Sequence, residues 1–146
     1  MTSYDHDLIS DFLNGYAEAT AQGDSETIAR SYAENYLETG PGGILPFHID
    51  ENYRKALREK SAFMASGLGL SSSRVAVDRV QEIAGGHFLV AATWTLGFAR
   101  DRSEPKRSSF VMSYVVRIVD SSPKILLAIS HEDEEEVMKR DGIIPR

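Results

Sequence analysis

The spacing of apolar residues changes once along this chain, shortly after Ser71. Before that point apolar residues recur every three or four positions, which is the period of a helix packed on one side. After it they alternate with small or polar residues, which is the period of a strand. The sequence therefore predicts an α+β arrangement in which helices from the first half cover one face of a sheet from the second.

Three helices are predicted in the first half of the chain. Each begins beside a side chain that can accept hydrogen bonds from free backbone N–H groups, and two end near glycines. They cover residues 4–21 with Ser3 as N-cap, a short stretch after Asp24 with the buried stripe Ile28, Ala29 and Tyr32, and residues 50–67. Between the second and third, a brief strand is predicted near Tyr36, and the Gly- and Pro-rich residues 40–46 predict a loop.

Four long strands are predicted in the second half, over residues 73–83, 87–100, 107–119 and 124–131. Their joints are short and polar or glycine-rich, including residues 101–106, so neighbouring strands should pair antiparallel. Large apolar side chains on one face are predicted to pack on the helices. The other face, with Leu89, Val111 and Val115, is too apolar to stay in open water, so we expect something to cover it. Residues 132–140 predict a short terminal helix.

Composition excludes several classes of site and partner. The 146 residues contain no cysteine, which removes thiol nucleophiles, disulfides and cysteine–zinc sites. No segment approaches the roughly 20 apolar residues that span a bilayer, and no secretion signal opens the chain, so we expect a cytoplasmic protein without a membrane partner. A net charge of -6 argues against nucleic acid. The four histidines lack metal-ligand spacing, so neither a metal nor another cofactor is predicted.

The segment from Tyr16 to Pro41 carries Tyr16, Gly23-Asp24, Tyr32-Ala33 and Pro41 at spacings similar to those of ketosteroid isomerases. Together with the order of elements, it resembles the nuclear transport factor two-like superfamily, which includes ketosteroid isomerases, scytalone dehydratases and SnoaL-like polyketide cyclases. The resemblance implies one SnoaL-like domain over residues 1–146. It also implies a cone-shaped, cystatin-like roll, with three N-terminal helices packed on a curved antiparallel sheet around a pocket. It implies little about activity, because this fold serves many functions.

The resemblance also implies catalytic positions. Tyr16 matches the tyrosine that stabilises the oxyanion, and Tyr114 falls near the second oxyanion donor. The proton-abstracting aspartate falls on Gly40, which cannot take a proton, so no isomerisation of a 5-ene-3-ketosteroid is expected. Glu38 lies two residues earlier on the same side of an extended segment and could replace that base if the loop bends. His131, placed at the pocket mouth, is another candidate because imidazole titrates near neutral pH.

Further residues are predicted to line the pocket. Trp94 shares the large-residue sheet face with Tyr114, and His48 is a third candidate base on the loop expected at the pocket mouth. The predicted ligand-binding set is Trp94, Phe12, Tyr36, His48 and Met112. Each aromatic residue has an alternative role in ordinary core packing, and Glu38 has one as a surface acid beside a turn.

Three functions remain open from the sequence. The first is an enzyme that transfers a proton on a small apolar carbonyl or cyclic substrate, as an isomerase, cyclase or dehydratase does. The second is a non-catalytic module that holds an apolar ligand in the cone. The third is an assembly domain whose exposed sheet face binds another copy, and a homodimer through Leu89, Val111 and their neighbours is expected in any case.

Overall fold

A computed structural model describes residues 1–100 and 104–146 of the chain. Within them, the helices are α1 (Ser3–Gln22), α2 (Ser25–Arg30), α3 (Glu51–Ala62), which the π-helical turn Phe63–Gly67 continues, and α4 (Glu134–Arg140). The strands are β1 (Tyr32–Gly40), β2 (Gly43–His48), β3 (Leu70–Ala84), β4 (His87–Phe98), β5 (Lys106–Val119) and β6 (Ser122–Ser130). The turn predicted at residues 101–106 includes residues 101–103, which lie outside the described residues.

The strands of the described residues form one sheet in the order β2–β1–β6–β5–β4–β3. The predicted α+β class is confirmed, and so are the four long strands. The expectation of a wholly antiparallel sheet is wrong at one place, because β1 and β6 run parallel. These two strands are distant in sequence and share no hairpin, so no short joint fixes their relative direction.

The predicted loop over residues 40–46 is mostly a β-hairpin. Strand β1 continues to Gly40, which pairs with Gly43 at the start of β2. Gly43 has a φ of 122°, a conformation that glycine adopts without strain. The glycines therefore serve a tight turn, and Pro46 is tolerated because β2 is an edge strand. Tyr32, predicted on the stripe of the second helix, instead begins β1.

The helix ends follow the predicted capping chemistry with small shifts. The N-cap of α1 is Thr2 rather than Ser3: the Thr2 hydroxyl accepts from the Asp5 N–H, and the Asp5 carboxylate accepts from the Thr2 N–H, each at 3.1 Å. This is a capping box. Gly23 ends α1 with a φ of 69°, and Asp24 caps α2, as predicted.

Helix α1 packs on the inner face of the sheet and forms the centre of the core. Ile9 and Leu13 of α1 are fully buried, as are Phe88 and Val90 on β4. Three register shifts between β3 and β4 mark bulges, which bend a sheet and increase its twist. The outer face is more exposed, and Leu89 keeps 38% of its surface accessible. None of the helices in the described part of the chain is long and apolar enough to cross a membrane.

Candidate functional site

A largely apolar cavity of about 200 Å³ lies between the inner face of the sheet and the helices. Its wall includes residues from α1, from β1 and the three strands β4 to β6, and from the facing ends of α3 and α4. Of the residues predicted for the site, five line it: Tyr16, Glu38, Trp94, Met112 and Tyr114. These five residues supply the cavity with one carboxylate, two phenols, an indole and a thioether.

Tyr114 offers a hydrogen-bond donor to this cavity. Trp94 on β4 and Tyr114 on β5 both point to the inner face, and the indole Nε1–H of Trp94 donates to the Tyr114 oxygen at 2.8 Å. An indole N–H can only donate, so the hydroxyl proton of Tyr114 remains available for another acceptor. Burial raises the pKa of Tyr114, which keeps the side chain a neutral phenol.

A pair of tyrosines supplies a second donor. The hydroxyl oxygens of Tyr16 on α1 and Tyr32 on β1 lie 2.5 Å apart. Burial raises the pKa of both phenols, so the pair keeps both protons at neutral pH. One hydroxyl proton forms the hydrogen bond between the two tyrosines, and the other can be donated to a ligand. The ring of Tyr16 also packs edge-on against Trp94, with ring centroids 5.2 Å apart.

Glu38 provides a partly buried carboxylate to the cavity. Strand β1 pairs Glu38 with Ala128 of β6, which directs the carboxylate to the inner face. Burial raises the pKa of Glu38 above its ordinary value, the positive charge of Lys60 opposes this rise, and the negative charge of Glu134 adds to it. A partly buried carboxylate beside phenolic donors is suited to general base chemistry. The regular strand places Glu38 there, and the expected loop bend is not needed.

Gly40, the position matched to the isomerase aspartate, has no room for a side chain. A Cβ atom at this position would lie 2.9 Å from the Cβ of Ser130 and 3.1 Å from the Ser130 carbonyl oxygen. Real Cβ atoms essentially never approach other heavy atoms to less than 3.0 Å. The close approach of β1 to β6 therefore requires glycine here, and the carboxylate of the site comes from Glu38.

His131 lies on the opposite side of the sheet from the cavity, contrary to the prediction. Val116 pairs with Ile125, but Val115 pairs with Leu127, which leaves Leu126 as an extra residue in β6. Such a bulge reverses which residues face inward from that point. His131 is exposed, and its Nε2 lies 2.8 Å from the Ser113 hydroxyl on the outer face. The prediction assumed unbroken alternation along β6, and this assumption placed His131 on the wrong face of the sheet.

Tyr36, His48 and Phe12, predicted to bind the ligand, do not line the cavity. Tyr36 is buried behind it, and its hydroxyl lies 2.7 Å from that of Tyr53. His48 is exposed on β2, with its Nδ1 2.7 Å from the side-chain oxygen of Asn35. Phe12 packs against the core from α1. The hairpin holds residues 36–48 in the sheet rather than as a loop over the cavity mouth.

Two charged residues at the mouth were missed by the sequence analysis. Lys60 near the end of α3 and Glu134 at the start of α4 both line the cavity, and Lys60 Nζ lies 3.7 Å from Glu134 Oε2. Glu132 also lines the cavity, but its carboxylate pairs with Arg140 at 2.8 Å. The helical stripe through Leu57 could have indicated the wall from α3, but no local pattern joins it to α4. Among residues 1–100 and 104–146, no cluster of histidine and acidic side chains could hold a metal ion.

Sequence comparisons identify no relatives, whereas the fold has many. No protein-family model matches the sequence, and no curated protein sequence matches it. A solved structure of an NTF-2-like protein of unknown function from Shewanella oneidensis has a TM-score of 0.69 and 18% identity, covering 88% of this chain and 99% of that one.

Two further solved structures are similar. A domain of unknown function with a cystatin-like fold from Nostoc punctiforme has a TM-score of 0.65 and 19% identity, covering 97% of this chain and 86% of that one. A ketosteroid isomerase-like protein from Erwinia carotovora atroseptica has a TM-score of 0.60 and 11% identity, covering 85% and 92%. At these identities the likeness concerns the fold, so function must be argued from the cavity.

Proposed function

We propose that this chain, which has the cystatin-like fold of nuclear transport factor two-like proteins, acts as one SnoaL-like domain that binds a small, largely apolar carbonyl compound and transfers a proton on it. One observation carries the proposal. The carboxylate of Glu38 and the hydroxyl-bearing residues Tyr16 and Tyr114 line the same apolar cavity. These are the groups that enolisation needs, namely a base for the carbon-bound proton and donors for the oxygen that becomes negative.

The proposed reaction uses each group once. The ligand carbonyl oxygen accepts hydrogen bonds from Tyr114 and from the Tyr16–Tyr32 pair. Ionised Glu38 removes a proton from the carbon beside the carbonyl, and the electron pair of that C–H bond moves to the oxygen as the enolate forms. Glu38 then returns the proton to the same or a conjugated carbon, so no other reactant is consumed. Its raised pKa makes it a stronger base than an exposed glutamate, provided that it is ionised.

Hydrogen exchange into a simple ketone tests the proposal without knowledge of the natural substrate. The α-protons of 2-tetralone, a flat apolar ketone, would be followed by NMR in deuterated buffer. We expect the protein to accelerate exchange and Glu38→Gln to slow the protein-dependent rate by roughly 10²–10⁴-fold. Glu34→Gln is the matched control, because Glu34 lies on the same strand but is exposed. An unchanged rate in Glu38→Gln would show that Glu38 is not the base, whereas no acceleration by the wild-type protein, with 2-naphthol still raising the melting temperature, would leave a binding module without catalysis.

A second candidate function, homodimerisation, is favoured by the outer face of the sheet. Strand register aligns four apolar residues in one row across β1, β6, β5 and β4: Leu37, Leu127, Val115 and Leu89. Leu37 and Leu89 are 43% and 38% exposed. A contiguous apolar row of this kind is typical of a protein–protein contact. A second copy of this chain presents the same row, so the face can pair with itself.

A further inference from the structure

The mouth of the cavity contains an ion pair that contributes little to stability. Lys60 Nζ and Glu134 Oε2 are 3.7 Å apart, and their side chains are 61% and 54% exposed. Exposed pairs of this kind stabilise a protein by about 0–1 kcal/mol. Both residues nevertheless line the cavity that contains Glu38.

Few charged groups face Glu38. Lys60 comes from α3 and Glu134 from α4, and they act on the Glu38 carboxylate in opposite senses. The other groups near it are neutral phenols: Tyr16 from α1, Tyr114 from β5, and the hydrogen-bonded pair Tyr36 and Tyr53. Glu132 also lines the cavity, but Arg140 compensates its charge. The ammonium of Lys60 therefore pairs with Glu134 at the edge of the cavity and acts on Glu38 inside it from a longer distance.

We propose that Lys60 and Glu134 are positioning residues for the proton-transfer site, through which α3 and α4 set the charge of Glu38. Lys60 keeps the Glu38 carboxylate ionised inside an apolar cavity, and Glu134 limits this effect by holding the ammonium at the mouth. This inference rests on the proposed function of Glu38 as base. When a ligand displaces water from the cavity, the influence of both charges on Glu38 increases, because the local dielectric falls.

The charge assignment predicts opposite effects of two substitutions on the pH at which Glu38 ionises. Lys60→Met removes the favourable charge, so the acid limb of the pH–rate profile for 2-tetralone exchange should move upward by roughly 0.5 pH unit. Glu134→Gln removes a repulsive charge and releases Lys60, so the limb should move downward by a similar amount. Lys60→Arg keeps the charge and should leave the limb near its original position. A merely structural role would not produce shifts of opposite sign.

Matched controls lie on the same helices. Lys55 on α3 is exposed and does not line the cavity, and Glu135 on α4 pairs with Lys139 at 3.2 Å. Lys55→Met and Glu135→Gln should therefore leave the profile unchanged. The ¹³C chemical shift of the Glu38 carboxyl group, measured by NMR as a function of pH, gives the midpoint of Glu38 ionisation without any measurement of activity. Its signal is assigned by its absence in Glu38→Gln. Melting temperatures of all variants check that they are folded.

The outcomes separate this inference from the proposed function. If Glu38→Gln does not slow exchange, the proposed base is wrong, while the NMR titration still reports whether Lys60 and Glu134 move the Glu38 midpoint. If Glu38→Gln abolishes exchange but Lys60→Met and Glu134→Gln leave the midpoint in place, or move it in the same direction, the positioning role is wrong. Shifts of the Glu38 midpoint in opposite directions, seen both in the pH–rate profile and by NMR, support the positioning role when Lys55→Met and Glu135→Gln leave the midpoint unchanged.

Discussion

Substitution of Gly40 by alanine should destabilise the protein, although it adds only one methyl group. The new Cβ would lie 2.9 Å from the Ser130 Cβ and 3.1 Å from the Ser130 carbonyl oxygen. Neither atom can rotate away, because one belongs to the backbone and the other is fixed to it. Overpacking of this kind costs roughly 1–3 kcal/mol, or a fall in melting temperature of roughly 3–9 °C for a chain of this size. Gly40→Asp would meet the same two contacts.

A double-mutant cycle isolates the contact that causes the loss. Ser130→Gly removes the Cβ that Gly40→Ala would meet, whereas Ser130→Ala removes only the hydroxyl and keeps the Cβ. In urea denaturation, Gly40→Ala should therefore cost about 1 kcal/mol less beside Ser130→Gly than in the wild type, and its cost beside Ser130→Ala should be unchanged to within about 0.5 kcal/mol. The packing argument would be refuted if Gly40→Ala alone were as stable as the wild type. It would also be refuted if Ser130→Gly and Ser130→Ala reduced the cost of Gly40→Ala by the same amount.

Three further predictions concern the cavity and the outer face. Tyr114→Phe leaves the buried indole N–H of Trp94 without its acceptor. The substitution should therefore lower the free energy of unfolding, measured by urea denaturation, by roughly 1–3 kcal/mol. A loss under about 0.5 kcal/mol contradicts that hydrogen bond. The pKa of Glu38 is higher in the folded state than its ordinary value of 4.5. Between pH 4.5 and the folded pKa, the folded state therefore binds more protons than the unfolded state, and stability falls as the pH rises through this window. Glu38→Gln should therefore melt at a higher temperature than the wild type at pH 7 but not at pH 4, and equal melting at pH 7 argues against an unfavourable buried charge. Light scattering should give twice the mass of one chain for the wild type and a single-chain mass for Val111→Glu. Thr27→Glu, which lies away from the sheet face, is the control and should remain dimeric. A monomeric wild type at micromolar concentration excludes the dimer.

The fold could be predicted because its signals are local and repeated. Alternation along β4 predicted which side chains the helices would bury, and Phe88, Trp94 and Phe98 are all buried. Gly23 and Asp24 marked the joint between the first two helices. In the β1–β2 hairpin, by contrast, glycine and proline content predicted a loop. That rule failed because the pairing of β2 with β1 decides whether these residues form a strand.

The candidate site was predicted only where regular elements carry it. Tyr16, Trp94 and Tyr114 follow from the stripe of α1 and the inner faces of β4 and β5. Lys60 and Glu134 could not be paired in advance, because they meet only when α3 and α4 fold over the same cavity. A contact between residues so distant in sequence has no local pattern.

The extra residue at Leu126 also has an evolutionary consequence. Because it is unpaired between the Val116–Ile125 and Val115–Leu127 pairs, loss of its codon would restore simple alternation and leave Ala128 and Ser130 facing the cavity. A lineage of such chains could thus lose one residue from this strand and keep the small side chains of the cavity wall. Loss of one residue from β4, whose pairing with β5 has no such extra residue, would instead turn the side chains beyond it to the opposite face.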